Sequence, residues 1–149
     1  MKNFMNKKVI VAVLMVMSIF SAVCSASPIV EYTNYVDSRV WYTGAIIDCR
    51  GLGLRTAMSP VIVNDKGEKL YGYENINVDT VSHKGMAGYV HSFNDPAIAR
   101  AGSNPVVFKA IGTTNHGMYP VLERVDGILL KVSNNNNHYF NKASVVFVY

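Results

Sequence analysis

Apolar and polar positions divide the chain into a leader, a mixed arm and a long stretch of short β-like runs. Val40 to Asp48 is nearly continuous in β-forming residues, with Val40, Trp41, Tyr42, Thr43, Ile46 and Ile47. Such a run predicts a strand covered on both faces. Gly44 interrupts it and marks a bulge, a bend or the close approach of another backbone. Gly51 and Gly53 follow, predicting a tight turn that carries Leu52 and Leu54 back into the core. Pro60 to Val63 and Glu68 to Tyr73 read as a hairpin around the polar turn Asn64-Asp65-Lys66-Gly67.

The pattern then loosens. Glu74 to Lys84 alternates with a period near 2, through Ile76, Val78 and Val81, which predicts an extended segment or edge strand. Tyr89-Val90-His91 resumes β character. Asn94-Asp95-Pro96 predicts a capped helix start, with one or two turns over Ala97 to Ala101. Val106 to Ile111 reads as a strand and Gly112 to Pro120 as a loop. Val121 to Val125 and Gly127 to Val132 are separated by a turn signal at Asp126-Gly127. Ser133 to Asn137 either caps a short helix over 138–142 or loops out. Ala143 to Tyr149 is a terminal apolar strand, expected inside a sheet. Together these give roughly seven or eight β segments and one or two short helices. The class is α+β, with a mixed or mostly antiparallel sheet and closure toward a barrel as an option.

Charge changes the picture once the leader is set aside. Lys2, Lys7 and Lys8 precede an apolar run from Val9 to Cys24, and Cys24 and Ala26 occupy the −3 and −1 positions of a cut after Ala26. This is the layout of a secretory signal peptide over 1–26. The run is shorter than the ~20 residues of a membrane span. An uncleaved anchor and a lipidated Cys24 are the alternatives; Val23 stands where lipidation would want a small residue. The leader holds three of the 14 basic residues and none of the 10 acidic ones, leaving 11 against 10. The remaining domain is nearly neutral and has no basic face in its sequence, which argues against nucleic acid. Residues 27–39 form an arm and 40–149 a single domain. Cys49 lies in an apolar run and has no cysteine partner after export, so an internal disulfide framework is excluded. A core role is the expectation for it; a reactive thiol or an intermolecular bridge is the alternative.

Candidate chemistry is sparse. His83, His91, His116 and His138 show no zinc-helix spacing, and no Cys-x-x-Cys exists. The Gly51 and Gly53 stretch lacks the third glycine of a dinucleotide fingerprint, and Pro60 comes too soon for the helix that would follow. Asp48, Arg50 and Arg55 form one candidate group and His116, in its polar loop, another residue to watch. An Asp48–Arg50 ion pair clamping the turn is the plain reading. A recess for an anionic or sugar ligand, built from Asp48, Arg50, Arg55 and His116, is the sharper one. Catalysis needs a second carboxylate that Asp79 or Asp95 would have to supply. A hydrolase is therefore the weakest reading, and no cofactor, metal site or catalytic residue is implied.

Tyr42 to Arg55, Met58-Ser59-Pro60 and the later Asp65-x-Gly67 with Tyr71-Gly72 resemble a domain of bacterial envelope proteins. Asn104 to Ala110 and Asn141 to Val148 extend the likeness over roughly 40–149. The resemblance is to the C-terminal part of LPP20-like lipoproteins, related loosely to flagellum-associated outer-membrane proteins. Cys49 replaces the usual alanine, and Ser133 to Asn137 replaces the segment expected before the last strand. The LPP20-like region before this domain and a clean lipidation box are missing. The resemblance implies a periplasmic or extracellular location, with outer-membrane association as an option. It implies assembly with another envelope protein or with a second copy, and it carries over no catalytic residue.

Overall fold

The structure, a computed structural model, describes residues 28–149; the expected signal peptide lies outside the described residues. The architecture is α+β, with parallel and antiparallel pairing. The strands are β1 (Gly44–Asp48), β2 (Ile62–Asn64), β3 (Lys69–Tyr71), β4 (Gly88–Val90), β5 (Pro105–Lys109), β6 (Gly112–Thr114), β7 (Tyr119–Leu122) and β8 (Val145–Val148). Helix α1 spans Val78–Lys84 and α2 spans Arg124–Asn134, and 3-10 turns cover Tyr73–Asn75 and Pro96–Ala101. One sheet has the order β4-β8-β1-β5, with every pair parallel. The other has the order β3-β2-β7-β6, with β2–β7 parallel and the outer pairs antiparallel.

Strand β1 is the spine of the parallel sheet, and all five of its residues are buried. Its two faces meet two separate apolar layers. Ala45 and Ile47 join Phe108, Val145 and Phe147 in the main core, with Ile62, Leu70, Leu122, Leu130 and Tyr139. Ile46 faces the other way, with Val146, Val148 and Val90, under Ala101, Ile98 and Phe93. This double coverage is why the sequence run shows no alternation. The terminal strand β8 lies inside the sheet, between β4 and β1. The strand begins at Gly44 rather than Val40. Residues 40–43 bond sideways instead, with Thr43 N–H donating to the Asn104 carbonyl at 3.0 Å.

Three segments differ from the sequence expectation. Residues 74–84 hold no edge strand. The Asn77 side chain accepts from Asp79 N–H at 2.9 Å and caps α1, which Gly85 ends at φ 70°. Ile76 and Val78 are spaced for alternation, Val78 and Val81 for a helix face, and the Asn77 cap decides between them. The break expected at Asp126-Gly127 is absent too, since both residues lie inside α2. A Cβ on Gly127 would stand 2.9 Å from Leu70 Cδ1, so this glycine lets the helix approach the β2–β3 hairpin closely. Residues 112–120, expected as loop, contain β6 and the start of β7, joined by a turn in which Asn115, His116 and Gly117 all have positive φ.

Side chains close the remaining gaps. The run Ser133 to Asn137 ends α2 and forms turns, with no helix over 138–142. Its asparagines hold the entry to β1: Asn137 Nδ2 donates to the Tyr42 carbonyl at 2.9 Å, and Asn136 Nδ2 to the carbonyls of Ser38 and Val40. Arg100 spans three carbonyls at 2.8 Å, those of Ala143, Lys84 and Gly85. Burial lowers its pKa, but the planar fork satisfies it without a carboxylate. Arg100→Lys keeps the charge and loses the fork. Urea unfolding is expected to show a loss of about 1–2 kcal/mol.

Candidate functional site

Asp48 ends β1 and is 3% exposed, so its charge must be met inside the protein. Arg50 Nε donates to Asp48 Oδ1 at 2.9 Å and Arg50 Nη2 to Oδ2 at 2.9 Å, a bidentate pair. Arg50 N–H adds a bond to Oδ1 at 3.1 Å. The hydroxyl of Tyr32, from the N-terminal arm, donates to Oδ2 at 2.6 Å. Outside this pair, the Arg50 guanidinium lies 4.9 Å from the Phe93 ring centre.

These contacts set the electrostatics. Burial pushes the Asp48 carboxyl up, but the hydrogen bonds from Arg50 and Tyr32 and the Arg50 charge outweigh it, and the net direction is down. The hydrogen bond to Asp48 raises the Tyr32 hydroxyl, helped by burial. The bond to Asp48 likewise raises Arg50. Both carboxylate oxygens are engaged, which makes Asp48 the centre of a clamp joining the arm, β1 and the turn after it.

The other candidates lie on a second seam. Arg55 is exposed, and its N–H donates to the Gly117 carbonyl at 2.8 Å. Thr113 Oγ1 donates to the Leu52 carbonyl at 3.4 Å across the same seam. The structure thus brings Arg55 to the turn that holds His116, an exposed residue at φ 58°. It brings Asp48 to Arg50 and Tyr32. No hydrogen bond among the described residues joins the two groups. None of the four residues lines the recess of about 460 Å3 beside Met58, Val81, Met86 and Tyr89. Nor do they line the one of about 450 Å3 over Val61, Val63 and Tyr119. Among the described residues no three His, Cys, Asp or Glu side chains are grouped to hold a metal ion.

The histidines are dispersed. His83 Nδ1 sits 2.7 Å from the Asp79 carbonyl on α1, and the His91 ring packs on Tyr149 with centres 4.4 Å apart. Cys49 is buried next to Asp48. Burial, with the Asp48 charge, pushes its thiol up to about 12. A neutral thiol is a poor nucleophile. Native protein at pH 8 is expected to resist a thiol-specific reagent and to label rapidly in denaturant; rapid native labelling would contradict the buried placement.

Tyr32 and Phe93 are the site residues that sequence reasoning missed. Tyr32 belongs to the arm and Phe93 falls between the Tyr89–His91 segment and the Asn94 cap, and no spacing rule connects either to Asp48. Comparison with protein-family models places the rest of the chain. The model of Treponema pallidum Tp0624, second domain, matches residues 44–149. The chain belongs to this family. The match opens on the first residue of β1 and takes in both sheets, while the arm lies outside it. It coincides with the stretch over which the sequence resembles envelope-protein domains. A search of curated proteins finds no match. No helix among the described residues is long and apolar enough to cross a membrane.

Proposed function

We propose that this chain is a noncatalytic domain of the bacterial envelope that acts by docking another envelope protein. The leader, with its basic start and apolar run, supports export. The matched family domain is the second domain of its own protein, which suits a module that works beside other modules. The polar cluster at Asp48 is occupied by internal partners, leaving no unpaired carboxylate there for acid–base chemistry.

The outer face of α2 carries the reading. Gly127, Leu130 and Ser133 are its buried stripe. On the opposite side Val125 is 63% exposed and Ile128 57%, one turn apart. Exposed Arg124 and Lys131 flank them. A shallow groove of about 120 Å3 runs between this face and the hairpin, lined by Asn64, Glu68, Leu70, Arg124, Ile128 and Lys131. Apolar side chains between two cations fit a partner surface that is apolar and rimmed by carboxylates. Tagged full chain is expected to retain a specific envelope protein from its host, and V125D/I128D to lose it at unchanged fold. Recovery of the same proteins by both forms would contradict the assignment.

A further inference from the structure

We propose that the N-terminal arm is an exchangeable strap, and that a second copy of this chain can lay its own arm on the β5 edge. Strand β5 pairs with β1 on one side. Its other edge is met by the arm. Thr33 N–H donates to the Val107 carbonyl at 2.7 Å, and Val107 N–H donates to Thr33 Oγ1 at 2.9 Å. The Thr33 hydroxyl therefore stands in for the carbonyl of a strand partner. The arm runs antiparallel to β5. Tyr32 reaches Asp48 at the far end of β1, and Asp37 N–H reaches the Tyr42 hydroxyl at the near end. Val36 is buried between these points.

The cover and the edge have different origins in the chain. Alternate residues 105, 107 and 109 share one direction along β5, and Pro105 has no N–H to offer. Val107 is then the central position at which a neighbouring strand must bond, and Thr33 occupies it. The edge belongs to the matched domain, which begins at Gly44, whereas the strap that covers it does not. An uncovered edge is a template for pairing with another chain. The arm of a second copy reproduces every bond of the closed form, which makes exchange a low-cost route to a dimer.

The hinge decides which form prevails. Val40 N–H donates to the Asp37 carbonyl at 3.0 Å, closing a turn with Ser38 and Arg39 at its centre. Neither central residue has positive φ, so the turn is of the type I kind. Asp37 pairs with Arg39 through both oxygens, and Asn136 holds the carbonyls of Ser38 and Val40. A short closed hinge keeps the arm at an effective concentration on the order of mM, which free copies must approach to compete.

Arg39→Pro tests this, because proline at the third position of a type I turn forces Ser38 out of the helical region. By light scattering after gel filtration, the full chain is expected to be monomeric and R39P to gain at least a tenfold larger dimer fraction. Asn136→Ala, which leaves the hinge backbone unaltered, should move in the same direction. Adding Thr33→Pro to R39P removes the edge donor and should return it to monomer with an unchanged far-UV spectrum. V125D/I128D should leave the R39P dimer intact, which separates this surface from the α2 face. Monomeric R39P and N136A at every concentration, or an R39P dimer that survives T33P, would overturn the proposal.

Discussion

A Gly44→Ala chain is expected to lose about 3 kcal/mol or more of stability, the upper part of the range for overpacking. Gly44 opens β1 where three backbones converge. An added Cβ would stand 2.4 Å from the Ala101 carbonyl oxygen, 2.4 Å from that of Ser144 and 2.8 Å from Ala101 Cα. These are backbone atoms in ordered segments, so no flexible side chain can swing away. Both carbonyls also accept bonds that hold the site: Thr43 Oγ1 donates to Ala101 at 2.8 Å and Ala45 N–H to Ser144 at 2.9 Å. Relief of the clash would break one bond or the other, loosening the 3-10 segment or the start of β8. Chemical denaturation of the two proteins measures the difference, and a loss below about 1 kcal/mol would contradict this packing.

Asp48→Asn is expected to cost about 2 kcal/mol at pH 7, the scale of hydrogen bonds to a charged group. The amide keeps the shape but replaces one acceptor by a donor that faces Arg50 or the Tyr32 hydroxyl. The pH dependence gives the sharper signature. The folded-state pKa of Asp48 lies below its unfolded value of about 3.9, so the carboxylate contributes stability that is present above that value. That contribution disappears as pH falls through the folded pKa. The gap between wild type and D48N should therefore be constant from neutrality down to about pH 5 and narrow in stronger acid. A gap that widened in acid would mean that the clamp works with the opposite sign.

Much of this arrangement is legible in the sequence, for reasons tied to particular residues. The continuous run before Asp48 announces a strand covered twice, and Gly44 announces a close approach. The Asn64 to Gly67 turn announces its hairpin: the Asn64 side chain accepts from both Lys66 and Glu68 N–H at 3.0 Å. Asp95 caps as its neighbours suggest, accepting from Ala97 N–H at 2.8 Å. The misreadings arise where tertiary contact overrides a local signal. Gly127 looks like a turn because its helical purpose, room for Leu70, lies in another element. The Ser133 to Asn137 run looks like solvated loop because its amides bond to backbone from 38 to 42.

The candidate site divides in the same way. The Asp48–Arg50 pair spans two residues and follows from proximity alone. Arg55 and His116 come together through one backbone bond to Gly117, which no residue type signals. Tyr32 is sixteen positions before Asp48, in the arm set apart from the domain. Its docking depends on a β5 edge that exists only once the parallel sheet is assembled. Long-range edges of this kind are what a single sequence conceals.

Docking through the outer face of α2 is tested most directly by site-specific photo-crosslinking in the living host. A photoreactive side chain at Ile128 is expected to yield one discrete product with an envelope protein. The same group at exposed His83, on α1, should yield none. Absence of a product at position 128, or equal products at both positions, would contradict the account.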